Sequence, residues 1–198
     1  MDIDATTLQL LLATADRAAI VNLLGTYCRA LDRLDLELLK SVYHPDGFDD
    51  HGTMKLNAHE FAEKIIARLR ATCVYGMHTI TQAVIEISGD RAKSEAYYLG
   101  LHLVAGGERS IGEFFGPRYL EAQRLAGTVE QQHEYVCGGR YLDILHKRAG
   151  QWRIYRRRMT NEFTICRPAS DCTEGTPGAF FTGSRRDRQD ALYDLTLE

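Results

Sequence analysis

The stretch LLGTYCRALDRLD, Leu23 to Asp35, decides how this chain is read. With Ile20 just upstream, its apolar residues recur at helical spacing, placing Ile20, Leu24, Tyr27 and Leu31 on one stripe. That pattern predicts a helix from Thr7 to Leu34 with one buried face. Asp35 is a good cap for a second helix over LELLKSVY, so Asp32 falls near the C-terminal end of the first. The helix dipole and the apolar neighbours both disfavour a charge there. A carboxyl kept in such a place suits proton transfer. An aspartate that merely accepts a backbone amide between helices fits the same position. Tyr27 lies five residues earlier, about 500° of helix rotation, so the two side chains diverge by about 140°. They can flank one cavity without touching. Tyr27 reads either as a hydrogen-bond donor to a departing oxygen or as a core aromatic whose hydroxyl finds a partner.

Downstream, HPDG is expected to end the second helix in a turn at Asp46-Gly47, followed by a short extended piece from Phe48 to Met54. Asn57 with Glu60 three residues later is a capping-box pattern, opening a third helix with Phe61, Ile65 and Leu69 as its stripe. After Cys73 the period changes to two. MHTITQAVIEIS and AKSEAYYLGLHLV read as strands joined at Gly89-Asp90, and GGRYLDILHKR and WRIYRRRMTNEF as strands joined at Ala149-Gly150. Between the two pairs, residues 106–138 resist assignment, although RYLEAQRLAG has helical character. A connection that long is often functional or disordered.

Helices first and antiparallel strands after them make an α+β fold. The expected form is a cone: a curved antiparallel sheet closed by three N-terminal helices around a small-molecule cavity. Residues 1–166 form that domain, with 106–138 as an inserted segment. Residues 167–198, rich in proline, glycine and charge, are expected at an oligomer interface or loose.

The candidate base is His78. Alternation puts it on one strand face with Ile80, Gln82, Val84 and Glu86, and puts Met77, Thr79, Ala83, Ile85 and Ile87 on the other. A lone strand histidine is more often structural. A carboxylate partner would fix its tautomer and leave a base that works near neutral pH. His102 is ambiguous on the same grounds. DDHG, Asp49 to Gly52, invites a metal reading, but alternation leaves only Asp49 and His51 on one face, and two ligands without a third make no metal centre. Neither a phosphate loop nor a G-x-S-x-G elbow occurs.

The 198 residues carry a net charge of −3, which sets up no field for nucleic acid or a membrane surface. Arg156, Arg157 and Arg158 form a basic run, but a strand sends neighbours to opposite faces. The acidic N-terminus lacks the basic region of a secretory signal, and no apolar run is expected to reach the ~20 residues of a membrane span. Five scattered cysteines without a C-x-x-C pair read as reduced thiols in a cytoplasmic protein, with no structural zinc.

YCRALDRLDLELLKSVYHPDG, MHTITQAVIEI and GQWRIYRRR together resemble the SnoaL-like branch of the nuclear-transport-factor-2-like superfamily, over roughly Thr7 to Phe163. Within it the chain is similar to dehydrochlorinases and bile-acid dehydratases, which take a proton with a His–Asp dyad while a leaving group departs, using no cofactor. The resemblance implies His78 as general base, Asp32 as its orienting carboxylate, Tyr27 as a polar helper and Arg157 as the arginine that assists the leaving group. Arg156 or Arg158 could take the inward place instead. YYLGLH lacks the acidic residue that the dehydratases carry on this strand. The implied activity is a cofactor-independent lyase or isomerase acting on an apolar ring compound of steroid, polyketide-like or aromatic type. The alternative is a non-catalytic ligand-binding or assembly subunit of the kind found in ring-hydroxylating dioxygenases. A dimer or trimer of identical chains is implied in either case.

Overall fold

A computed structural model describes residues 3–170 and 174–196. Helix α1 (Ala5–Asp32) is capped by Asp4, whose carboxylate accepts the Thr7 amide at 3.0 Å. Its predicted stripe is buried: Ile20, Leu24, Tyr27 and Leu31 are all in the core. Leu34, at φ 51°, takes the left-handed conformation that stops the helix, which makes Asp32 its last residue. Asp35 then caps α2 (Leu36–Ser41) through the Leu38 amide at 3.0 Å.

HPDG does not turn. It lies inside strand β1 (Tyr43–His51), which bulges between Tyr43 and Phe48 and hairpins into β2 (Met54–Asn57). Gly47 sits at that irregularity, where an added Cβ would meet the His44 carbonyl at 2.8 Å. Asn57 caps α3 (Ala58–Thr72) as expected, accepting the His59 and Glu60 amides. The box is not closed, because Glu60 pairs with Lys64 instead. On α3, Ile66 takes the fully buried place expected of Ile65, which is half-buried and lines the cavity described below.

Strands β3 (Cys73–Ser88), β4 (Arg91–Val104), β5 (His133–Arg148) and β6 (Gln151–Pro168) form a long antiparallel meander. The unassigned 106–138 segment is two short helices, α4 (Glu108–Phe115) and α5 (Pro117–Ala126), leading into a β5 that starts five residues earlier than Gly138. The order across the single sheet is β2-β1-β6-β5-β4-β3. One pair departs from the expected all-antiparallel sheet: β1 runs parallel to β6.

The sheet is curved and unclosed, and its bulges account for the bend. In β3 an extra residue, Thr81, falls between Ile80 and Gln82 in the ladder with β4. It reverses the alternation: His78 and Ile80 share the concave face with Ala83, Ile85 and Ile87, and Gln82, Val84 and Glu86 face out. In β5 the register slips at Gly138-Gly139, where a Cβ on Gly139 would lie 2.0 Å from the Thr160 carbonyl oxygen, so only glycine fits. The concave face holds Tyr98, Tyr141, Leu145 and Ile154 against α1 and α3.

The described part of the C-terminal segment packs on its own chain. Arg186 donates to the carbonyls of Leu69 and Cys73 at the end of α3, Arg33 meets Asp190, and Arg188 meets Asp35. Helix α1 is, by length and composition, long and apolar enough to cross a membrane, contrary to the sequence expectation. Its C-terminal half is a core helix of the fold, while Leu8, Leu10, Leu11 and Leu12 near its start are exposed. Cys28, Cys73, Cys137 and Cys166 are free thiols, and Cys172 lies outside the described residues.

Candidate active site

The end of α1 and the middle of β3 meet at Asp32 and His78. The Asp32 carboxylate accepts the His78 ring Nδ1 at 2.7 Å and the His78 backbone N–H at 3.1 Å to each oxygen. An ionised carboxylate only accepts, so Nδ1 is the donor to Asp32 and Nε2 is the ring nitrogen that Asp32 leaves free. Both side chains are about nine-tenths buried. A carboxylate at a helix C-terminus is costly, and three hydrogen bonds from one residue offset that cost.

Gly100 stands opposite His78 in the β3–β4 ladder. A Cβ there would sit 3.4 Å from the imidazole Cδ2 and 3.6 Å from Nε2, so the missing side chain leaves room for the ring. Beyond it lies His102, its ring 4.8 Å from that of His78. Burial, reinforced by the neighbouring His78, Arg186 and Arg68, pushes the His102 pKa down to about 3. His102 is therefore neutral, and its Nδ1 has no hydrogen-bond partner among the described residues.

His78 and His102 line a cavity of about 210 Å³ between the concave face and the helices, with Tyr27, Tyr98, Tyr135, Tyr141, Phe114 and Met159 among its walls. Arg68 is the charged side chain of that lining, held by a hydrogen bond to the Phe114 carbonyl at 2.7 Å. Asp32 stands behind His78, on an outer groove that Leu192 helps to line. A further open hollow of about 560 Å³ lies on the convex face, away from these groups.

Tyr27 reaches the cavity but its hydroxyl has no partner among the described residues. Burial raises its pKa, against the pull of the Arg157 guanidinium. Of the three consecutive arginines, Arg157 is the one that points inward. It is bound by both oxygens of Asp143, at 2.8 and 2.7 Å, and lies between the rings of Tyr27 and Tyr141 at 4.1 and 4.2 Å. It is not among the residues that line the cavity with His78.

Asp49 and His51 do share a face, as the alternation implied: His51 Nδ1 is 2.6 Å from Asp49. Among the described residues no group of three or more metal-binding side chains is assembled. The sequence left His102 ambiguous and did not single out Gly100. Their signal was the β4 pattern Tyr98-x-Gly100-x-His102, two rings and a gap on one strand face.

A model of the SnoaL-like domain matches residues 13–158. The chain belongs to the SnoaL-like family. Among solved structures, this SnoaL-like chain is similar to a type 2 hexachlorocyclohexane dehydrochlorinase at 18% identity and a TM-score of 0.61, over 84% of this chain and 97% of the other. It is similar to a protein from Novosphingobium aromaticivorans named as a scytalone dehydratase candidate, at 17% identity and 0.60, over 77% and 88%. It is also similar to the Kfla4162 protein of Kribbella flavida, at 21% identity and 0.59, over 77% and 95%. At these identities the likeness is one of fold. No curated protein sequence matches the chain.

Proposed function

We propose that this SnoaL-like protein is a cofactor-independent lyase or isomerase that takes a proton from an apolar ring compound. The observation that carries the reading is the His78–Asp32 clamp in the wall of an aromatic cavity, with Nε2 the ring nitrogen that Asp32 leaves free. Nε2 removes a proton next to a carbonyl or a leaving group. Asp32 holds the ring in the productive tautomer and stabilises the imidazolium that forms. Arg68 and the Tyr27 hydroxyl meet the negative charge that develops on oxygen or departing halide. Arg157 serves as a positioning residue, fixing Tyr27 through the stacked guanidinium. The chemistry needs a base, a donor and a dry site, and we propose no cofactor.

About 210 Å³ is below the roughly 300–1,000 Å³ of pockets for drug-sized ligands, which favours a substrate of one or two rings over a steroid. The free thiols of Cys28 and Cys137 suit a reducing cytoplasm. The relatives named for dehydrochlorination and dehydration support elimination within this reading.

The test uses 3-hydroxycyclohexanone and 3-chlorocyclohexanone, following the enone by absorbance and binding by thermal shift. Turnover by the wild-type protein that vanishes in a folded His78→Gln variant is expected. Thermal stabilisation without any product would leave a binding module.

A further inference from the structure

The cavity holds a second histidine–carboxylate pair. At the end of β1, His51 contributes its ring to the lining, and its Nδ1 lies 2.6 Å from the carboxylate of Asp49, which is completely buried. The Tyr43 hydroxyl donates to the other Asp49 oxygen at 2.5 Å. The ring is stacked on Phe61, with centroids 4.5 Å apart. The ring is thus held by the carboxylate and by the stack, Tyr43 in turn fixes the carboxylate, and Nε2 is the nitrogen that Asp49 leaves free. The strand positions of His51 and His78 are separated by four inter-strand steps, roughly 19 Å along a flat sheet. The bend of the sheet brings both rings onto one cavity.

Charge distinguishes the two pairs. Behind His51 lie two buried carboxylates, Asp49 and Asp143, and one buried guanidinium, Arg157, with the neutral hydroxyls of Tyr43 and Tyr141. The buried charge around His51 is therefore one negative in excess. His78 has the single carboxylate of Asp32, offset by the guanidinium of Arg186, and it faces the neutral imidazole of His102 with Arg68 beyond it.

We infer that His51, backed by Asp49 and Tyr43, is the general acid opposite the base His78. This rests on the proposed elimination and names its second proton. His78 Nε2 takes the C–H proton, and the C–H electron pair becomes the new double bond. The carbon–oxygen bond breaks as His51 gives its Nε2 proton to the leaving hydroxyl, which departs as water. His51 ends neutral and His78 protonated, and solvent resets both. A halide leaves as the anion and needs no such proton.

Two measurements on the full chain test this. With histidine labelled by nitrogen-15, 3-hydroxycyclohexanone is titrated in, and ring signals are assigned from His51→Gln and His78→Gln. Shifts at both rings are expected. A shift at His78 alone contradicts the acid and leaves the base standing. A shift at neither contradicts both. In turnover, general-acid loss is worth about 10²–10⁴-fold. His51→Gln is expected to slow loss of hydroxide at least about 100-fold more than it slows loss of chloride from 3-chlorocyclohexanone. His78→Gln loses both. Equal slowing of the two leaving groups in His51→Gln, or none, overturns the assignment.

Discussion

His78 gives its backbone N–H and its ring N–H to the same carboxylate, that of Asp32. The backbone bonds set the ring's origin and the side-chain bond sets its rotation, so the imidazole is fixed at two points by one residue. Asp32→Asn replaces one acceptor oxygen with an amide that meets a donor. The expected result is a fall in kcat of about 10²–10⁴-fold with a stability loss of about 1–3 kcal/mol. Steady-state kinetics and denaturant unfolding measure the two.

Gly100 should be intolerant of a side chain for a kinetic reason. An added Cβ would press on Cys137 Sγ at 3.3 Å and on the His78 ring at 3.4 Å. Gly100→Ala is expected to lower kcat by about tenfold, the cost of about 1.4 kcal/mol of misplacement, with KM changed far less. An equal rise in KM would mean that the ring is not what it displaces.

His102 imposes a pH dependence on stability. Its folded pKa is about 3, against an ordinary value of 6.5. Between those values the unfolded chain binds the extra proton, so stability rises with pH across the window and is lost on acidification below about 6.5. At about pH 5 the loss amounts to about 2 kcal/mol. Thermal melts of wild type and His102→Gln at about pH 7.5 and 5 should show the smaller acid-induced drop in the variant.

The Arg157–Asp143 pair is fully buried. Asp143→Ala strands the guanidinium between two tyrosine rings and should cost about 3–5 kcal/mol. Replacing both, as Arg157→Met with Asp143→Leu, should recover most of that loss in chemical denaturation. A double variant as unstable as the single one would mean that the charges hold the tyrosines in place.

Much of the framework was legible in the chain. Ile20, Leu24, Tyr27 and Leu31 mark the buried face of α1, and Asp35 and Asn57 mark helix starts, because spacing and capping are local. The inward arginine was not legible, because the phase set by Trp152 and Ile154 is reversed by a bulge at Tyr155 that pairing with β5 fixes. The faces of β3 were misread beyond Ile80, because the bulge at Thr81 is fixed by pairing with β4. HPDG looked like a turn, because Gly47 is required there by close approach of the His44 and Tyr155 carbonyls, which no local pattern records. The nearness of Asp32 and His78 comes from tertiary packing of α1 on β3. His51 beside Asp49 was legible as a shared face, but its place on the same cavity depends on the curvature of the whole sheet.

The central claim is that Nε2 of His78 takes a proton from carbon. Its most direct test is hydrogen–deuterium exchange at the acidic methylene of 2-indanone in deuterated buffer, followed by proton NMR. The account predicts protein-catalysed loss of that signal in the wild type and only the buffer rate in a folded His78→Gln variant. Exchange at the buffer rate in the wild type, or equal catalysis by the variant, would contradict it.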